Sequence, residues 1–250
     1  MAQEAVLITG ALGGIGRSLC DVFEDRGYKV IGVDKLKKPG DFEHAFVEYD
    51  IASLQQNERT FELFQSQVRE LLAGRMLKGI INNAAVQVVR NTQSLTWADW
   101  EVTFGTNVFA PFFVVQAFLN ELRISHGSVV NMASIHARLT KKDFTAYSTS
   151  KGALVSLTRA MALDLAPDVR VNAIMPAATD TPMLRAGFEG NPRGFALLEE
   201  YHPLQRIADP SEVARATVFL VSDESSFVTG TTLWVDGGIG GVLSDPVYAR

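Results

Sequence analysis

Seven short runs of apolar, β-prone residues recur along this chain, at 5–9, 29–34, 45–49, 79–82, 128–132, 170–175 and 232–235. Several are apolar throughout rather than at alternate positions. That pattern belongs to strands covered on both faces, and so to a parallel sheet. Helical patterns separate the runs. Strand–helix repetition of this kind predicts an α/β fold, a single doubly wound domain with a seven-stranded parallel sheet over residues 1–250.

One region breaks the rhythm. Between Pro176 and Pro210 lie Gly187, Gly190, Asn191, Pro192 and Gly194, interleaved with Phe188, Phe195, Leu197 and Leu198. An irregular apolar insertion in a compact domain predicts a substrate lid, at 178–205. Helical patterns at 108–122 and 146–166 lack a broad polar face, so each needs cover on two sides. The sheet supplies one cover and a second copy of the chain the other, which predicts a homo-oligomer, dimer or tetramer.

Charged residues make up 20% of the chain and the formal net charge is −5, a poor match to nucleic acid. The single cysteine, Cys20, permits no disulfide within the chain and sits in the first helical pattern as a small core residue. The most apolar stretch, 109–119, is too short to span a membrane, and the first residues lack a basic, then apolar, leader pattern. A cytoplasmic protein with a small-molecule substrate and no membrane, nucleic-acid or metal partner is expected.

The first run leads into Thr9-Gly10-Ala11-Leu12-Gly13-Gly14-Ile15-Gly16, which opens a helical pattern. Glycines there permit a tight turn and close approach of a pyrophosphate, and the helix start offers free N–H groups and partial positive charge. A Gly-rich turn between strand and helix is the phosphate site of a Rossmann-type dinucleotide fold. Asp34 ends the second run, where a carboxylate accepts hydrogen bonds from both adenosine ribose hydroxyls and repels a 2′-phosphate. NAD is therefore favoured over NADP, against which Lys35, Lys37 and Lys38 offer possible phosphate partners.

Tyr147 and Lys151 stand four apart in a helical pattern, hence on one face. An ammonium beside the phenol predicts a lowered tyrosine pKa and proton exchange with an alcohol near neutral pH. Ser134 follows the strand at 128–132, at the carboxyl edge where open α/β sheets bind ligands.

In this context the chain resembles the short-chain dehydrogenase/reductase family. The matching residues are Thr9-Gly10-x-x-x-Gly14-Ile15-Gly16, Asp50, Asn82-Asn83-Ala84, Asn107, Ser134, Tyr147-x-x-x-Lys151, Asn172-Ala173-x-x-Pro176, Thr181 and Gly230, in the family's order over essentially the whole chain. The resemblance implies that Tyr147 exchanges the substrate proton, that Lys151 tunes it and holds the nicotinamide ribose, and that Ser134 binds the reacting oxygen. Asn107 would hold a water in a proton relay, Asp50 and Ile51 would meet the adenine, and Asn83 would brace the cofactor loop. Gly10, Gly13, Gly14, Ile15, Gly16, Ala84, Ala85, Pro176, Thr179 and Thr181 complete the implied cofactor set. Ala85 and Ala177 stand where the family usually has glycine. Tails such as 237–250 pack at subunit interfaces in this family.

Gln87 and His136 match substrate-contacting positions of the family's 3-hydroxybutyrate dehydrogenases, and Arg138, Lys141 and Lys142 add positive charge to the same loop. A hydroxy acid, sugar or sugar acid is the expected substrate. Phe144 and Ala178 depart from those enzymes, and Tyr201 and His202 are candidates to cap the pocket from the lid. The competing readings are a 3-oxoacyl-thioester reductase and an NAD-sensing protein without catalysis.

Overall fold

The computed structural model describes residues 4–53 and 58–243. Seven strands form one sheet: β1 Glu4–Thr9, β2 Lys29–Asp34, β3 Ala45–Glu48, β4 Met76–Asn82, β5 Ser128–Met132, β6 Arg170–Pro176 and β7 Thr232–Val235. All pair in parallel, in the order β3-β2-β1-β4-β5-β6-β7. The expected strands are all present; β4 starts earlier than expected, at Met76.

Helices cover both faces, as the apolar strands require. Helix α1 (Gly14–Asp25) and helix α9 (Pro210–Val221) bury Leu19, Phe23, Val213 and Val218 against one face. Cys20 lies in that layer, where burial pushes its thiol up to about 12, an inert core residue. The opposite face carries α2 (Glu58–Leu72), α4 (Ala110–Ala117), α5 (Leu119–Ser125) and α6 (Thr145–Leu165), through Phe64, Val68, Val114, Val115, Leu122 and Met161. Buried polar side chains tie the layers together. Asn82 Nδ2 donates to Asn131 Oδ1 (2.8 Å), and Asn131 Nδ2 donates to Thr158 Oγ1 (2.9 Å) on α6.

The expected helix at 108–122 is not continuous. Helix α3 (Trp97–Phe104) runs into a π-helical turn, Gly105–Phe109, before α4 begins. Phe118 then interrupts the chain between α4 and α5, and the axis bends by 63°. Tertiary packing overrides helix propensity here. Phe118 is fully buried edge-on against Phe64, and Arg69 Nη2 donates to the carbonyl of Ala117 at the break (2.9 Å). Among the described residues no single helix is long and apolar enough to cross a membrane.

The segment 178–205 forms two short helices, α7 (Pro182–Ala186) and α8 (Pro192–Glu200). Its start is pinned to the chain just beyond its end: Ala208 N donates to Ala178 O, and Asp180 N to Ala208 O, each at 2.9 Å. Phe109 at the end of the π-helical turn, Phe112 on α4 and Leu163 on α6 are exposed, Leu163 at 82%. Of the tail 237–250, residues 244–250 lie outside the described residues.

Candidate active site

The chain doubles back across the sheet between β1 and β4, and open α/β sheets bind ligands at the carboxyl edge of such a switch point. The Gly-rich loop leaves β1 there. Gly10 has φ +64°, and a side chain on it would sit 2.7 Å from Ala84 Cα, so the turn and the close approach both demand glycine. Asn83 holds this loop down. Its Nδ2 donates to the carbonyls of Thr9 and Gly10 (3.0 Å each), while Thr9 Oγ1 accepts from the backbone N–H groups of Asn83 and Ala84 (3.1 Å each). Gly13 precedes α1 without a side-chain cap, which leaves the first N–H groups of the helix to a ligand.

Asp34 closes the loop's far edge. Its two carboxylate oxygens accept from the N–H groups of Leu12 and Leu36, each at 3.1 Å, which fixes the anion at the cavity rim. Of the lysines beyond it, Lys38 donates to the carbonyl of His44 (2.8 Å), and Lys35 lines the rim.

At the other end, the long helix α6 carries Tyr147, Ser150 and Lys151. Lys151 Nζ donates to Met132 O at the end of β5 (2.7 Å) and lies 5.6 Å from the centre of the Tyr147 ring. Ser134 begins the short turn after β5 and accepts from His136 N (3.2 Å). The π-helical turn turns the buried Asn107 toward the same place. Asn107 Oδ1 accepts from Val86 N (2.9 Å), and its Nδ2 donates to Val86 O (2.9 Å) and Ser150 Oγ (3.0 Å). Asn107 thereby locks α6 to the chain beyond β4 and is not itself part of the cavity wall.

One expectation reverses. The Tyr147 phenol was expected below its usual value; burial instead pushes it up to about 12, with the Ser134 hydroxyl pulling weakly the other way. Burial also brings Lys151 down to about 7. Desolvation disfavours both charged forms and is the leading cause of each shift. This has a consequence for stability. Below pH 7 the ammonium is charged in folded and unfolded chain alike, and its burial costs about 5 kcal/mol. Between pH 7 and 10.5 the folded chain has released that proton while the unfolded chain keeps it, so this contribution to stability rises with pH. Lys151→Met is therefore expected to raise Tm at pH 6 by several degrees, and the gain should fade toward pH 10. Calorimetry at the two pH values checks it; a lower Tm at pH 6 would show that the ammonium is not strained.

The substrate end is walled by aromatic and aliphatic groups. His136 stacks on Phe144 (4.6 Å, 10° between planes), and both meet Tyr147 edge-on at 5.7 and 6.1 Å. Burial brings His136 down to about 4, so it is neutral at pH 7. Val86, Leu139, Met183, Leu184 and Phe188 add apolar surface, with Gln87 at the exposed edge. Arg138 departs from expectation: its guanidinium lies over the Trp234 ring (5.8 Å) and is not among the lining groups, because stacking on an indole keeps it outside. Lys142 is likewise outside, whereas Lys141 lines the cavity with its Nζ 4.6 Å over Phe144.

One cavity of about 1080 Å³ joins the Gly-rich cradle to the wall of Ser134, Tyr147 and Lys151. It runs from Asp34, Asp50 and Ile51 along Gly10, Gly13, Gly14, Ile15 and Gly16, past Asn83, Ala84 and Ala85, to Ser134, Tyr147 and Lys151. Pro176, Thr179 and Thr181 close it from the side of β6. The anion cradle at one end and the proton-exchanging groups at the other fit a nicotinamide dinucleotide.

Comparison with known proteins decides the family. Residues 10–240 match the family model described as Enoyl-(Acyl carrier protein) reductase. The protein FixR of Bradyrhizobium diazoefficiens is 35% identical over 94% of this chain and 86% of its own. The chain belongs to the short-chain dehydrogenase/reductase family. A cyclopentanol dehydrogenase of Comamonas testosteroni is 33% identical over 94% of this chain and 96% of its own. The ligand-free structure of an aldohexose dehydrogenase of Thermoplasma acidophilum superposes with a TM-score of 0.88, at 32% identity and 98% coverage of both chains. As a short-chain dehydrogenase/reductase, the protein is an oxidoreductase acting on CH–OH groups.

Proposed function

We propose that this short-chain dehydrogenase/reductase uses NAD to interconvert a secondary alcohol and its ketone or aldehyde, on a small polar substrate. The observation that carries this reading is the single cavity in which Ser134, Tyr147 and Lys151 share a wall with a cradle edged by the Asp34 carboxylate. When bound, the dinucleotide supplies or takes the hydride at its nicotinamide ring.

The chain's own groups do the rest. Ser134 Oγ holds the reacting oxygen, and Tyr147 Oη exchanges the proton with it. Burial keeps Tyr147 protonated, the form that donates to a carbonyl during reduction. In the reverse direction the phenolate needs positive charge nearby; an oxidised nicotinamide ring would bring one, and Lys151 would add another where that ring and its ribose keep it protonated. Lys151 would also hold the nicotinamide ribose, and Asn107 positions α6 against the loop after β4. Asp34 would accept from the adenosine ribose hydroxyls and repel a 2′-phosphate, which favours NAD.

With Arg138 stacked on Trp234, His136 neutral and the Lys141 ammonium resting on the Phe144 ring, the walls suit a neutral hydroxylated substrate, a sugar or hydroxylated ring, with Lys141 as the cation at the substrate end that a hydroxy acid would have to use. A 3-oxoacyl-thioester reductase is the second reading, favoured by the apolar wall of Met183, Leu184 and Phe188 and opposed by Asp34. NADH formation over a panel of secondary alcohols, sugars and hydroxy acids, set against NADPH-driven reduction of a 3-oxoacyl thioester, separates them. The exposed apolar face of α4 and α6 supports a homo-oligomer, whose size sedimentation velocity reads directly.

A further inference from the structure

Ser150 stands near the start of α6, between Tyr147 and Lys151, and is fully buried. It is not among the groups that line the cavity, so any effect on the chemistry runs through its neighbours. Its hydroxyl makes two hydrogen bonds. Oγ donates to the carbonyl of Tyr147 (2.7 Å), one turn back, and accepts from Asn107 Nδ2 (3.0 Å). Both roles are forced. A carbonyl only accepts, so the serine hydrogen goes to Tyr147 O, and a serine lone pair meets the Asn107 N–H.

The Asn107 amide is then fully used. Val86 N donates to Oδ1 (2.9 Å), which fixes the end of the amide that is nitrogen. One Nδ2 hydrogen goes to Val86 O (2.9 Å), and Ser150 takes the other. A single amide thus ties the main chain of Val86 to the turn of α6 that carries Tyr147 and Lys151. The bond has a consequence for the site. Val86 follows Ala84 and Ala85 along the cavity, while Tyr147 and Ser134 form the wall of the proton-exchanging groups. Lys151 Nζ ties the same turn to Met132 on β5, not to the Val86 side. Thr145 meets Thr92 at the helix start (3.2 Å), and Thr158 meets Asn131 two turns further along. Among the described residues Asn107 has no other side-chain bond to α6, so the Ser150 hydroxyl is its link to that turn. Groups that must meet at one reacting carbon tolerate little displacement, and about 1 Å can cost 10²-fold in rate.

We propose that Ser150 is a positioning residue for hydride transfer. Its hydroxyl, through Asn107, keeps Tyr147 in register with Val86, so that the phenol meets the reacting oxygen while the carbinol carbon faces the nicotinamide. This rests on the alcohol oxidoreductase reading above. Ser150→Ala deletes the hydroxyl, strands one buried Asn107 N–H and frees the two walls to part.

One arm of the test needs no turnover. In protein carrying [ζ-13C]tyrosine, the Tyr147 resonance is identified by its loss in Tyr147→Phe. Saturating NADH is expected to shift it in the unmodified protein, to shift it less in Ser150→Ala, and to restore the full shift in Ser150→Thr, which keeps the hydroxyl. The second arm is turnover of the secondary alcohol or sugar that reduces NAD fastest. In Ser150→Ala, kcat per NADH-binding site is expected to fall about tenfold or more, with KM for NAD unaltered within about twofold. Deuterium at the carbinol carbon should then slow kcat more than in the unmodified protein, because misaligned transfer becomes the slow step. A merely structural role would lower Tm and move neither readout. Ser150→Cys, whose thiol is a weak donor and acceptor, should repeat these losses and decides the matter if Ser150→Ala does not fold. A folded Ser150→Ala or Ser150→Cys protein with full kcat, or with an unaltered Tyr147 shift, overturns the proposal. So does a Ser150→Thr protein as slow as Ser150→Ala. If no alcohol reduces NAD in the unmodified protein, the oxidoreductase reading fails, and the Tyr147 resonance still decides the role of Ser150.

Discussion

Tyr147→Phe is expected to lose about 10³-fold in turnover while binding NADH within a few-fold of the unmodified protein. The ring that packs edge-on against His136 and Phe144 stays, and only the hydroxyl facing Ser134 is deleted. Nothing in the cradle at Gly10, Asn83 or Asp34 is touched, so the cofactor end of the cavity should be unaltered. Steady-state rates and NADH fluorescence titration on the same preparations separate the two effects. Equal loss of both would mean that the substitution disturbed the cavity. Unaltered turnover would remove Tyr147 from the chemistry.

The second large effect concerns the other end of the cavity. Asp34→Arg is expected to shift the ratio of kcat/KM for NADPH over NADH by about 100-fold or more. The Asp34 carboxylate is held by the Leu12 and Leu36 N–H groups, and on the proposed reading its charge stands where a 2′-phosphate would come. Replacing it removes a repulsion and supplies a cation that can meet the phosphate in two-pronged fashion. The two freed N–H groups cost about 1 kcal/mol each if water does not reach them, so a modest loss of stability should accompany the switch. An unchanged cofactor ratio would show that Asp34 does not face the ribose.

Much of the architecture was legible in the chain because it rests on local patterns. Continuously apolar runs such as 128–132 can exist only under two layers of helices, and a sheet of seven parallel strands follows. The cradle was legible because Gly10 must approach Ala84, and the side-by-side placement of Tyr147 and Lys151 because helical spacing sets it. What was missed depends on packing between distant segments. No local signal marks the π-helical turn at Gly105–Phe109, which is held by what Asn107 finds at Val86 and Ser150. Arg138 was counted as a charge in the substrate loop, but its direction is decided by Trp234, nearly a hundred residues away. The Tyr147 phenol moved up rather than down because burial is a property of the whole fold, whereas spacing reveals only the neighbouring ammonium. His202 was a candidate cap; burial and the carbonyl of Leu198, 2.8 Å from Nδ1, hold its ring within the cavity wall instead, and neither can be read from composition.

The most direct test of the account is hydride transfer itself. Secondary alcohols, diols and sugars carrying deuterium at the carbinol carbon would be incubated with the protein and NAD, and the nicotinamide examined by mass spectrometry and NMR. The account predicts that at least one reacts, placing one deuteron on the nicotinamide ring for each carbonyl product, and that Tyr147→Phe slows the transfer by about 10³-fold. A protein that binds NAD in this cavity yet transfers no deuterium from any alcohol of the panel would contradict it.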